Sequence, residues 1–213
     1  MMDFYEIKKL YKINDPCGFN RAELSFLKSK HGHFPQVFID YYIELGRHKF
    51  NEAYIRLLIP EELQNPMFNH EGSEYFVFYL ESQGVYEWGI NKNHMHLPNP
   101  SVYITYGGQW KLDCNNLENF FTAMAYYQAI HLLEFYPEDF IFELNDNDLD
   151  FIRKNFKNKG VSLLEYVCGI DFYGNHDDCI IVISAEQDMS YASSNKEHFA
   201  EMDKILSKVG VAY

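Results

Sequence analysis

Residues 75–80, YFVFYL, and 85–90, VYEWGI, are two strongly apolar runs separated only by Glu81, Ser82, Gln83 and Gly84. Each run is too short for a helix and rich in aromatic and β-branched side chains, which suit a pleated surface. The pair therefore predicts an antiparallel hairpin closing on Gly84. Alternation along the second run puts Tyr86, Trp88 and Ile90 on one face and Glu87 on the other. Trp88 is expected inside, and the corner carrying Glu81 and Gln83 is expected in solvent. A second hairpin follows in SVYITYGGQWKL, residues 101–112, where Gly107 and Gly108 can supply the positive φ angles of a tight turn.

Helical periodicity surrounds this meander. Residues 3–13 read as a short amphipathic helix ending at the turn signal NDPCG, and Asn20 can cap a helix through RAELSFLKSK that Gly32 ends. In PQVFIDYYIELG, Pro35 suits a first helical turn and Gly46 a left-handed C-terminal position, with Phe38, Tyr41, Tyr42 and Leu45 at core spacing. After the hairpins, residues 117–135 are apolar on nearly every face, as a buried spine would be.

The composition shifts beyond Pro137. Between Leu112 and Ile152 there are nine acidic residues and no Lys or Arg. NDNDLDFIRKNFKN reads as a helix with acids in its first turn and bases in its last. Strand candidates follow at 161–172 and in CIIVISAE, and a closing helix to about Lys208 is opened by a Ser194-to-Glu197 capping box. The expectation is an α+β fold: N-terminal helices, a central antiparallel sheet of hairpins, a long buried helix and a C-terminal strand-strand-helix extension. The organisation expected is a core over residues 1–136 and an acidic extension over 137–213.

Composition narrows the function. With 31 acidic against 18 basic residues and a net charge of −13, the chain lacks the clustered Lys and Arg that phosphate recognition requires, which argues against nucleic acid as a ligand. The charged start MMDFYEIKKLYK has no signal-peptide h-region, and no apolar run reaches membrane-spanning length. Cys17, Cys114, Cys168 and Cys179 form no CxxC, so reduced thiols in a cytoplasmic protein are expected.

Catalytic and cofactor motifs are missing. GxSxG, HExxH, P-loop and GxGxxG patterns do not occur. Asp146, Asp148 and Asp150 have the alternation of a calcium loop, but Phe151 stands where the loop needs Gly and Lys157 where it needs Glu. The pairs His31/His33 and His94/His96 have no third ligand nearby, so neither metal nor cofactor is expected. Asp171, His176, Asp177 and Asp178 form a polar cluster around Gly174, read as a strand-to-strand turn.

Several short motifs then fall in one order. Phe34-Pro35 precedes an amphipathic segment ending at Gly46; Glu81-x-Gln83 is followed by Trp88 at the end of the next strand; and Pro100-x-Val102 leads to Trp110 and the helix after Asn116. Over residues 19–135 this series resembles the SUKH superfamily, whose founding eukaryotic member is a yeast regulator of cell-wall glucan synthesis and whose bacterial members include immunity proteins against polymorphic toxins. Phe34 replaces the usual Leu, and residues beyond 137 lie outside the pattern. The resemblance implies a non-catalytic protein that binds other proteins. The leading expectation is an immunity protein that neutralises a cognate toxin; the alternative is an intracellular regulator or scaffold of the glucan-synthesis type. Toxins that cleave nucleic acid bind phosphate and tend to be basic, so an acidic inhibitor complements them. The candidate contacts are Glu81 and Gln83 at the hairpin corner, or Asp146, Asp148 and Asp150.

Overall fold

A computed structural model describes residues 3–69 and 71–212. Among them the α-helices are α1 (Tyr5–Tyr11), α2 (Ser25–His31), α3 (Gln36–Leu45), α4 (Pro60–Leu63), α5 (Leu117–Leu132), α6 (Asp146–Asn155) and α7 (Lys196–Leu206). The strands are β1 (Ile55–Leu57), β2 (Tyr75–Glu81), β3 (Glu87–Asn91), β4 (Val102–Tyr106), β5 (Gln109–Cys114), β6 (Phe142–Glu143), β7 (Asn158–Leu163), β8 (Ile170–Tyr173), β9 (Cys179–Ser184), β10 (Asp188–Ser193) and β11 (Val211–Ala212). They form two sheets, ordered β1-β2-β3-β4-β5 and β11-β6-β10-β9-β8-β7, in which every pairing is antiparallel. The class is α+β. No helix among the described residues is long and apolar enough to cross a membrane.

The chain divides into two compact units, one holding Asp15–Phe121 and the other Phe4–Asn14 with residues 122–212. The division falls inside α5, upstream of the composition shift after Tyr136.

In the first unit the meander β2 to β5 packs its aromatic face on α3 and the start of α5. Tyr41 stacks on Phe121 with centroids 3.6 Å apart, and Phe38 meets Phe76, Phe78 and Phe121. Trp88 is fully buried, and its indole N–H donates to Asp113 Oδ2 at 2.7 Å. Trp110 lies on the opposite face of the sheet, half-buried and stacked on Tyr75 at 4.2 Å. It crosses Gly89, where a Cβ would sit 3.1 Å from the indole. Gly107 and Gly108 turn the second hairpin with φ of 60° and 82°.

Helix ends differ from expectation in α2, which begins at Ser25 after Leu24 and not at Asn20, and at both ends of α3. Pro35 is the N-cap residue of α3, one position before the helix proper. Gly46 is right-handed, with φ −58°, and is not a left-handed terminator. Its requirement is steric: a Cβ there would lie 2.5 Å from Tyr42 O and 2.7 Å from the Phe19 ring.

The second unit's core joins Phe142, Ile152, Ile181, Met189, Tyr191 and Leu206 between its sheet and α6 and α7. α1 belongs to this unit: Tyr11 OH donates to Ala125 O at 2.7 Å, and Tyr126 OH donates to Glu6 at 2.8 Å. The extension carries β6, β10 and β11 as well as the expected strands. β10 was not legible because MSYAS has no β-branched residue and its two serines interrupt the apolar signal, yet its central position in the sheet buries Met189 to Ser193. α7 is capped by Asn195, whose side chain accepts from Glu197 and His198 N–H, and not by Ser194. Ser194 Oγ is buried with no hydrogen-bond partner among the described residues.

Candidate functional site

The hairpin connection is longer than the sequence implies: it runs from Ser82 to Tyr86, and Val85, expected in the second strand, is exposed. Gly84 closes the turn at φ 71°, and Gln83 is exposed. Glu81, expected in solvent, is only 7% exposed; it accepts from Tyr54 OH at 2.8 Å through Oε1, while Oε2 is buried without a hydrogen-bond partner among the described residues. Alternation fails here because β2 is flanked by β1 and β3 and is covered on both faces. A bulge between Val77 and Tyr79 shifts its register further. Glu81 therefore belongs to the fold's interior, paired with Ile55 across β1.

The carboxylates of α6 do reach solvent. Asn145 caps the helix by accepting from Asn147 and Asp148 N–H, and Asp148 accepts from Asn145 N–H at 3.0 Å, which makes a reciprocal box. Asp148 is half-buried in that role, whereas Asp146 and Asp150 are exposed. Helical geometry puts positions four apart on one face and the middle position on another. Asp146 and Asp150 thus share a face, and the three carboxylates do not converge on one ion. Arg153 approaches Asp150 at 3.9 Å with both side chains mostly in water, a contact of small energetic consequence.

Between α6 and α7 runs a groove lined by Asp148, Phe151, Glu201, Lys204 and Ile205, among others. Phe151 and Ile205 are each 41% exposed, large apolar surfaces on otherwise polar helices.

A third group of polar side chains is assembled by the β9–β10 hairpin. Asp178 and Cys179 open β9, Ser193 pairs with Cys179 across the ladder, and the first turn of α7 brings in His198. His198 Nδ1 lies 2.7 and 2.9 Å from the two Asp178 carboxylate oxygens, so the ring N–H donates to that carboxylate. The His176 ring stacks on His198 at 3.8 Å, and His176 Nε2 is 3.6 Å from Glu201. Burial pushes the Cys179 thiol up to about 11, the opposite of what a thiolate nucleophile needs. Burial also lowers the Lys159 ammonium, against the pull of Asp177, while Lys159 donates to His176 O at 2.8 Å. Of the polar residues noted around Gly174, His176 and Asp178 join this group, Asp171 lies apart in β8, and His198 carries no spacing signal because it is twenty residues beyond Asp178. The turn itself needs Gly174, since a Cβ there would fall 2.7 Å from Cys179 O.

His94 is half-buried and His96 exposed, and neither joins a group of three metal-binding side chains among the described residues. The His31/His33 pair involves His31, whose side chain lies outside the described residues. The four cysteines are free thiols. Compared with known proteins, the chain matches no family model, no curated protein and no solved structure.

Proposed function

We propose that the chain is a non-catalytic immunity protein that binds a cognate polymorphic toxin, receiving a basic protein domain on the α6–α7 face of the second unit. The observation that carries this reading is exposed Phe151 and Ile205 in a groove rimmed by Asp148 and Glu201 and by Lys204 and Lys208, with the acidic excess supplied by Asp146 and Asp150, exposed on the neighbouring face of α6. An apolar centre within a charged rim is the arrangement that protein partners bury. The net charge of −13 favours a basic partner, and the SUKH resemblance of residues 19–135 supports protein binding and toxin neutralisation.

The test is co-purification with a candidate toxin domain, then association kinetics at low and physiological salt. Asp146→Asn with Asp150→Asn leaves the Asn145–Asp148 cap intact and should slow association several-fold, with little change in dissociation. Phe151→Ala should instead speed dissociation, on the order of tenfold or more if the ring is an anchor. Wild-type rates in both variants, with no salt dependence, would refute this surface.

A further inference from the structure

Three potential metal ligands of different chemistry are held together before any ion is considered. The main chain of Asp178 is fixed because its carbonyl accepts from Ser194 N–H at 3.0 Å and from Ser193 Oγ at 2.8 Å. Cys179 is fixed by the β9–β10 ladder, and His198 by the Asn195 cap, whose oxygen accepts from its N–H. The site is thus built on a strand pair and a capped helix, elements that position side chains more narrowly than loops do.

One carboxylate oxygen, the Cys179 sulfur and one imidazole nitrogen all lie within 4.8 Å of one another. Cys179 Sγ is 3.6 Å from Asp178 Oδ1. A tetrahedral zinc with a sulfur at about 2.3 Å and an oxygen at about 2.0 Å separates those two donors by about 3.5 Å, close to what is already present. The 2.7 Å between His198 Nδ1 and Asp178 is a hydrogen bond, and it must open to about 3.3 Å for both atoms to ligate through those positions. A cavity of about 100 Å³ lined by His176, Cys179, His198 and Glu201 adjoins Cys179 and His198 and leaves room on the imidazole side for that shift.

We propose that Asp178, Cys179 and His198 bind one divalent transition ion of the zinc class. Mixed sulfur, nitrogen and oxygen donors suit zinc or cobalt and do not suit magnesium or calcium, which take oxygen. Binding forms bonds from the metal to sulfur, nitrogen and oxygen; the thiol proton is released to solvent, and the neutral ring that ligates through Nδ1 carries its own proton on Nε2. His176 is not a ligand in its present orientation. An ion lies in the plane of each imidazole that binds it, and the His176 and His198 rings are parallel within 8° and 3.8 Å apart. Water fills the fourth position. The proposal replaces the expectation of a metal-free chain, which was drawn from the local His-x-His and calcium-loop spacings.

The probe is cobalt(II), added to the full chain after chelator treatment. One equivalent should bind and produce a thiolate-to-cobalt charge-transfer band with intense tetrahedral visible bands, and zinc should bleach both. Cys179→Ser should abolish the charge-transfer band, and His198→Asn should weaken uptake at least tenfold, while Cys168→Ser and His176→Asn should keep both properties. If Cys179→Ser does not fold, the wild-type spectrum and the His198→Asn titration decide the matter. Absence of stoichiometric uptake by the wild-type chain, or uptake without a thiolate band, would overturn the proposal.

Discussion

The contact between Trp88 and Asp113 makes a quantitative test of the first unit's core. Both side chains are fully buried, and the indole N–H donates to the carboxylate at 2.7 Å. Trp88→Phe removes a hydrogen bond to a charged acceptor, costing about 1.5–3 kcal/mol. It also removes roughly 40 Å³ of side chain, which at about 24 cal/mol per Å³ of residual cavity adds about 1 kcal/mol. The total is about 3 kcal/mol, against about 3–5 kcal/mol for Trp88→Ala. The ring packing on Phe120 and Tyr79 is largely kept by Phe, so the hydrogen bond dominates the loss. Urea unfolding followed by indole fluorescence is the assay, because Trp110 remains in the same unit as a reporter. A cycle with Asp113→Ala should give a coupling of about 1.5–3 kcal/mol, and Asp113→Asn, which keeps an acceptor oxygen, should cost less than Asp113→Ala. Coupling within about 0.5 kcal/mol of zero would refute the reasoning.

Burial lowers the His48 imidazole to about 4, with Lys49 adding to the effect, and Nδ1 accepts from Phe50 N–H at 3.4 Å, so the fold uses the neutral ring. The unfolded ring takes a proton near 6.5, so this contribution is intact above that pH and is lost as pH falls from about 6.5 towards 4. His48→Asn, which keeps an acceptor, should show a shallower loss of stability between about pH 7 and 5 in urea titrations; an unchanged slope would remove the assignment. At the start of α7, Asn195→Ala should cost about 1 kcal/mol as a lost cap. Ser194→Ala should be close to neutral, because its hydroxyl makes no hydrogen bond among the described residues. The reverse order in denaturant midpoints would restore Ser194 as the cap.

Local sequence determined those elements whose signals are local. The hairpin around Gly84, the Gly107-Gly108 turn, the core spacing of Phe38, Tyr41, Tyr42 and Leu45, and the buried character of α5 follow from alternation, turn chemistry and helical period acting over a few residues. What depends on neighbours distant in sequence was settled only in three dimensions. Glu81 is interior because β1 pairs alongside β2, and Gly46 is crowded by the ring of Phe19 as well as by Tyr42 O; neither β1 nor Phe19 lies in a local window around the residue it constrains. β10 mixes serines with apolar side chains and becomes a buried strand only through its partners β6 and β9. The Asp178, Cys179 and His198 group has the same origin: an antiparallel ladder and a capped helix bring His198 back twenty residues to Asp178, and that closure is a property of the folded chain alone.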